Sequence, residues 1–328
     1  MAYAVDIIND SFKKTKELFF PIRFKYWVKM GFVNLFTGGN SGGLNDPRYS
    51  SNNKDFPSFA NLRDALYQFN TKSLEFLSQY GLFIGIGAFF LYLIALFFSY
   101  ISCVFTFMFI DGLVKKDIHI RKSFEQNNPL GLSLFFLRFI IGIVELVITF
   151  LIFSPLILAF FRNELSMFNF WLLIPMVLVW LLIVIVFGIF LFLVNSFVIP
   201  IMYFKKIPFI PAWKYFKKIA KKKFREIVIY WLFSMILVIG ASILYLLLLL
   251  IALIPLILVL IVFVLIGVLT YFGISALGSE LVALITVILY GILVILFLVF
   301  LITVLFVPIP AFFRIYSIEM LKKLESKT

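Results

Sequence analysis

Long stretches without a single charge dominate the pattern of polar and apolar positions. Uncharged runs cover 76–110, 165–204, 227–279 and 281–313, each longer than the ~20 residues a helix needs to cross a bilayer. They predict membrane-spanning helices at about 79–109, 133–161, 170–204, from 227 onward, and at 281–307. The run 227–279 is too long for one straight crossing at about 1.5 Å per residue. Pro255 is expected to end or kink the helix there, leaving 256–270 as a second, short or re-entrant segment. Five or six spans follow. Gly81, Gly85 and Ala88 place a small-residue face at the start of the first span, where close helix packing is expected.

Shorter patterned segments flank the spans. Val5, Ile8, Phe12 and Phe19 recur near helical spacing in 3–20. In Ile22 to Phe36 the cations Arg23, Lys25 and Lys29 lie among aromatic residues, a mixture suited to the headgroup layer. Residues 37–58, rich in Gly, Asn and Ser, read as a polar connector; no Gly-Lys-Ser/Thr follows GGNSGG, so a nucleotide loop is disfavoured. The expected fold is an all-α, multi-pass transmembrane helical bundle with interfacial amphipathic helices. It forms one integral membrane domain over 1–328: an N-terminal part at 1–78, the bundle at 79–307, and a C-terminal amphipathic helix at 308–328.

Composition sharpens this picture. Of 328 residues 63% are hydrophobic and 14% charged, against about a quarter charged in a soluble domain. The 29 Lys and Arg exceed the 16 Asp and Glu, giving +13. Beside so much lipid-facing sequence, that excess points to anionic lipid headgroups and not to nucleic acid. With one His (His119) and one Cys (Cys103), neither a disulfide nor a zinc site is expected, and no cofactor. Asp6, Asp10 and Glu17 and the lack of an apolar core argue against a cleavable signal peptide, and the cell membrane is the expected location. Residues 205–226 hold nine Lys or Arg and one Glu, the strongest mark of a cytoplasmic segment. Counting spans back from it puts the N-terminal part outside, unless Ile22–Phe36 crosses as a short, charged span, the reading we favour.

Candidate chemistry is sparse. Arg138 and Glu145 are the two ionisable residues within a span, seven residues and about 10 Å apart on one helix face. Asn195 and Ser196 in the third span are possible polar partners. Loop acids Asp46, Asp111 and Asp117 would have to converge for lipid-directed catalysis. The segment 207–226 stands out. Trp213, Phe216, Ile219, Ala220 and Phe224 recur at three- or four-residue spacing, while Lys214, Lys217, Lys218, Lys221, Lys222 and Arg225 mostly take the other faces. That is a basic amphipathic helix suited to an anionic leaflet.

Three stretches carry a resemblance: FFPIRFKYWVKMGFVNLFTGGNSGG at 19–43, FVIPIMYFKKIPFIPAWKYFKKIAKKKFREIVIYWLF at 197–233, and VPIPAFFRIYSIEMLKKL at 307–324. Together they resemble uncharacterised prokaryotic multi-pass membrane proteins, distantly similar to the membrane domain fused to some glycerophosphodiester phosphodiesterases. Pro200, Ala212, Trp213 and Lys218 take the places where such a span ends and the next basic helix opens. The resemblance implies a helical membrane domain without assigned activity; a phosphodiesterase barrel has no room in this chain. The expected function is a non-enzymatic membrane-organising protein or membrane-complex subunit that engages anionic lipid, with a membrane protein as a possible partner. The alternative is a small-solute transporter or channel using Glu145, Arg138 and Asn195, which requires a water-accessible cavity at the depth of Glu145.

Overall fold

The computed structural model describes residues 3–37, 59–162, 170–276 and 279–326. The Gly- and Asn-rich connector at 38–58, with Asp46, lies outside the described residues. Within them the chain is helical, without strands. Five helices are long and apolar enough to cross a membrane: α3 (Phe59–Lys115), α4 (Ile120–Phe161), α5 (Leu173–Leu193, continued by α6, Ile199–Lys205), α8 (Phe224–Ser275) and α9 (Glu280–Phe306). The protein is therefore a multi-pass integral membrane protein.

These five helices are unevenly packed. Near one end, where α3 turns into α4 and α9 gives way to the last helix, buried side chains are dense. They include Phe107 and Ile110 of α3, Leu130 and Leu134 of α4, Phe197 and Met202 after α5, and Tyr230 of α8. The remaining helices fill this end as a platform: α1 (Tyr3–Phe19), α2 (Phe24–Phe36), α7 (Phe209–Lys222) and α10 (Pro308–Glu325). Beyond it, apolar side chains such as Phe89, Leu182 and Ile254 are well over half exposed, as expected of surfaces that meet lipid. Helix α5, 21 residues, is about 31 Å long, close to the ~30 Å hydrocarbon core.

Pro255 does not break its helix. α8 runs unbroken for 52 residues with Pro255 inside it, so 256–270 is not a separate segment, and among the described residues the helices able to span number five. A helix satisfies its own backbone in lipid, and neighbouring elements can compensate for the one bond that proline removes. Further along, α9 packs on α8: the Tyr290 ring lies under Gly267 and its hydroxyl donates to the Phe263 carbonyl at 3.0 Å.

The N-terminal helices belong to the platform. α1 lies along α10, where Tyr316 Oη donates to the Ala4 carbonyl at 3.1 Å. Lys14 pairs with Glu319 at 2.8 Å and Lys323 with Asp6 at 2.9 Å. α1 thus shares one end of the molecule with the lysine-rich segment. α2 runs antiparallel to the end of α3. Tyr26 Oη donates to the Gly112 carbonyl at 3.1 Å, Lys29 Nζ to the Ile118 carbonyl at 2.6 Å, and the Phe36 ring lies 5.1 Å from Phe105. With 13 residues α2 is about 20 Å long, and it enters the bundle from the platform, where Gly31 meets Val304 of α9. α10 is buried on most sides, from Ala311 and Phe313 through Tyr316, Ile318 and Leu324; it is a core helix of the platform more than an interfacial one.

The close helix contacts fall elsewhere than the small-residue face suggested. A Cβ added to Gly81 or Gly85 meets nothing within 4 Å. At Gly31 it would lie 2.8 Å from Val304 Cα, and at Gly131 2.8 Å from Val104 Cα, so α2 touches α9, and α3 touches α4, through backbone. Gly31→Ala and Gly131→Ala are each expected to lower stability in detergent by about 1–3 kcal/mol, whereas Gly85→Ala is neutral or mildly stabilising by helix propensity; thermal unfolding reads the difference. Glu319 makes the α1–α10 contact sensitive to pH. Burial raises its pKa, but hydrogen bonds and charge from Lys14 and Lys322 outweigh that and hold it below the ordinary value. A depressed carboxyl stabilises above its unfolded pKa and loses that contribution as pH falls through the folded one. Limited proteolysis should therefore release α1 more readily in acid, and Glu319→Gln should flatten that pH dependence.

Candidate functional site

The platform is organised around a break in helical hydrogen bonding. α5 passes into a π-helical turn, Val194–Val198, and then into α6, whose second residue is Pro200. In the wider turn the Ile199 amide bonds the Val194 carbonyl, so the Asn195 carbonyl loses its usual donor. Pro200 has no N–H to offer, which strands the Ser196 carbonyl as well. Buried carbonyls without donors are costly. Two side chains three residues apart on α10 replace the missing amides: Arg314 Nη1 donates to the Asn195 carbonyl at 2.7 Å and Ser317 Oγ donates to the Ser196 carbonyl.

A second cation reaches the same residue from α4. Arg138 Nη2 donates to Asn195 Oδ1 at 3.3 Å, and its Nη1 lies 3.5 Å from Cys103 Sγ on α3. Asn195 thus accepts one guanidinium on its backbone and another on its side chain, joining α4, α5 and α10. Arg314 is fully buried. Burial lowers its pKa to about 10, with Tyr230 opposing the shift and Arg138 adding to it, so it remains charged at neutral pH. Below it the Tyr230 ring stacks on Tyr316 at 4.9 Å.

A further polar node lies nearer the turn between α3 and α4. Asp111, also buried, accepts from Tyr203 Oη at 2.6 Å and from Ser123 Oγ at 2.7 Å, and pairs with Lys115 at 2.8 Å. It lies on α3, not in a loop, and clamps α3, α4 and α6. Asp117 instead pairs with Lys29 at 3.1 Å. Asp111 and Asp117 therefore serve separate contacts and do not converge.

The other candidates divide. Arg138 and Asn195 meet; Glu145 does not join them. It lies further along α4, half-buried in an open furrow whose lining residues, from Gly142 to Ile157, all belong to α4. On α7 the apolar face is taken by protein: Ala212, Phe216 and Ile219 are buried, Phe216 stacks on Phe197 at 5.3 Å, and Trp213 packs against Phe190 at 5.0 Å. Lys214, Lys217, Lys218, Lys221 and Lys222 remain exposed. Arg225 falls in the first turn of α8, and the exposed Phe224 lies outside the apolar face. Among the described residues no group of three His, Cys, Asp or Glu could hold a metal; His119 is exposed and Cys103 buried.

Sequence reasoning overlooked Arg314 and misjudged Asp111. Arg314 ends a 33-residue uncharged run, a place where a cation has the same local composition whether it is solvated or buried. Its signal was Arg and Ser at i and i+3 on a helix, opposite an Asn-Ser pair four or five residues before a proline.

The chain belongs to DUF7544, a family of unknown function, which matches residues 2–328. No curated protein and no solved structure matches it. Membership of an uncharacterised family agrees with part of the resemblance noted above; no link to glycerophosphodiester phosphodiesterases emerges.

The Arg314 contact is testable. Arg314→Ala removes a fully buried side chain and strands a carbonyl, and should lower stability by about 3–5 kcal/mol. Ser317→Ala should cost about 1–2 kcal/mol, both read by thermal or denaturant unfolding in detergent.

Proposed function

We propose that this member of DUF7544 is a non-enzymatic membrane-organising protein, or a subunit of a membrane complex, whose platform engages anionic lipid. The observation that carries the reading is where the charge lies. The platform segments 3–37, 103–134, 194–237 and 306–326 hold 22 Lys and Arg against 9 Asp and Glu. That balance of +13 equals the net charge of the whole chain, so the rest is neutral. The contact of Trp213 with Phe190 puts α7 beside the platform end of α5, where a headgroup layer would lie. Because the apolar face of α7 is occupied by protein, engagement works through the exposed lysines and the partly exposed Trp213, and depends on charge more than on insertion. The positive platform faces the cytoplasmic leaflet of the cell membrane in this reading.

The transporter alternative is weakened by the same geometry. It needs Glu145, Arg138 and Asn195 around a water-accessible cavity, and the furrow at Glu145 is lined by one helix and opens outward. Intrinsic tryptophan quenching in proteoliposomes tests the leading reading. Brominated phosphatidylglycerol should quench more than brominated phosphatidylcholine at low salt. The difference should shrink with salt and fall several-fold when Lys217, Lys218, Lys221 and Lys222 are changed to Glu, at up to about 1 kcal/mol per lysine. An unchanged difference in that variant would refute lipid engagement by α7.

A further inference from the structure

Above the platform α4 and α5 are tied twice. Arg138 holds Asn195 at the lower tie. At the upper one, Trp180 Nε1 donates to Thr149 Oγ1 at 3.2 Å, and the Phe153 ring stands edge-on to Trp180 at 6.4 Å. The ties are eleven residues apart on α4, about 16 Å. Between them, Glu145 sits in the outward-facing furrow with Gly142, Leu146, Thr149, Phe150 and Ile157. Among the described residues it makes no hydrogen bond or ion pair.

A carboxyl group at this depth is expensive to keep in hydrocarbon. An occupant with positive charge and hydrogen-bond donors at one end and an apolar stretch to cover the strip above it would complement both parts of the furrow. From Gly142 to Ile157 the furrow is about 22 Å long, more than the roughly 15 Å of hydrocarbon in one leaflet. An acyl chain fits that length. A second copy of this chain fits poorly, because a two-fold contact through this face would set one Glu145 against another.

We propose that the furrow is a binding site for a membrane lipid with an ammonium headgroup. The ammonium lies at Glu145 and the chain runs along Leu146, Phe150 and Ile157. Glu145 is eleven residues, about 16 Å, beyond buried Leu134. This preference is separate from that of the α7 lysines for anionic heads at the surface.

Native mass spectrometry of the full chain in detergent, titrated with phosphatidylethanolamine or phosphatidylglycerol of matched acyl chains, tests this. Phosphatidylethanolamine should bind wild type about tenfold more tightly at one site, the scale of one charge-assisted hydrogen bond, and Glu145→Gln should remove that preference. Gly142→Leu, which fills the furrow and keeps the carboxyl, should lower binding of both lipids at this site. Glu280→Gln, at the far end of α9, should change nothing. Charge reversal on α7 should reduce phosphatidylglycerol adducts while sparing the ethanolamine site, so failure here is distinguishable from failure of the platform reading. Equal binding of the two lipids, or an unaltered preference in a folded Glu145→Gln variant, overturns the proposal. So does a dimer that Glu145→Gln dissolves without any change in lipid binding, which would assign the furrow to a second copy.

Discussion

The missing amide of Pro200 is the constraint on which the rest of the platform depends. It coincides with a π-helical turn, and together they leave two adjacent carbonyls without backbone donors inside protein. Helix α10 answers with Arg314 and Ser317 on one face, which sets its height and rotation against the end of α5. Once α10 is placed, much else follows: α1 is tied to it through the Ala4 carbonyl and Glu319, and Tyr230 of α8 stacks against Tyr316. A local defect in one spanning helix thus specifies how the shorter helices assemble beneath all five.

A fully buried arginine is a poor device for stability as such, since desolvating the charge offsets much of what its hydrogen bonds contribute. Its value here is specificity. An apolar residue at 314 would pack in many rotations of α10, but one guanidinium directed at one carbonyl accepts few. Asp111 plays a similar part nearer the α3–α4 turn, where hydroxyls from α4 and α6 converge on its two oxygens. Above these nodes the helices carry little beyond apolar side chains, and α3 and α4 leave the platform with Gly131 pressed on Val104. The bilayer does the rest of the packing.

The spans were legible because charge is excluded from lipid by several kcal/mol per residue, a signal strong enough to survive without any knowledge of neighbours. The lysine face of α7 was legible for the same reason at the opposite extreme. What covers its other face was not, since Trp213 and Phe216 would satisfy the same periodicity packed on Phe190 and Phe197 or dipped into lipid. Gly31 and Gly131 also look no different in sequence from Gly81 and Gly85; which of them lets two backbones meet depends on helix pairing that periodicity does not encode. Pro255 misled because rules for helix breaking come largely from water, where an open backbone can be hydrated. Arg314 was hidden by its place at the end of an uncharged run, where a solvated tail and a buried anchor have the same local composition.

Helix α4 shows how one pattern can serve two purposes. Ser123, Asn127, Gly131, Leu134, Arg138, Gly142, Glu145 and Thr149 follow one another at three or four residues, a single stripe along the helix. Its lower part meets Asp111, Val104 and Asn195 and is sealed as a seam. Between that seam and the bond from Trp180 to Thr149, the neighbouring helices do not close over it, and the same stripe becomes an open furrow in which Glu145 stands. The change from structural to available polarity lies in where the neighbouring helices diverge, not in the residues themselves. Because the Arg138–Asn195 tie marks that divergence, the contact that seals the platform also sets the floor of the furrow. The π-helical turn, through Asn195, then governs both the assembly of the base and the depth at which polar groups first face lipid.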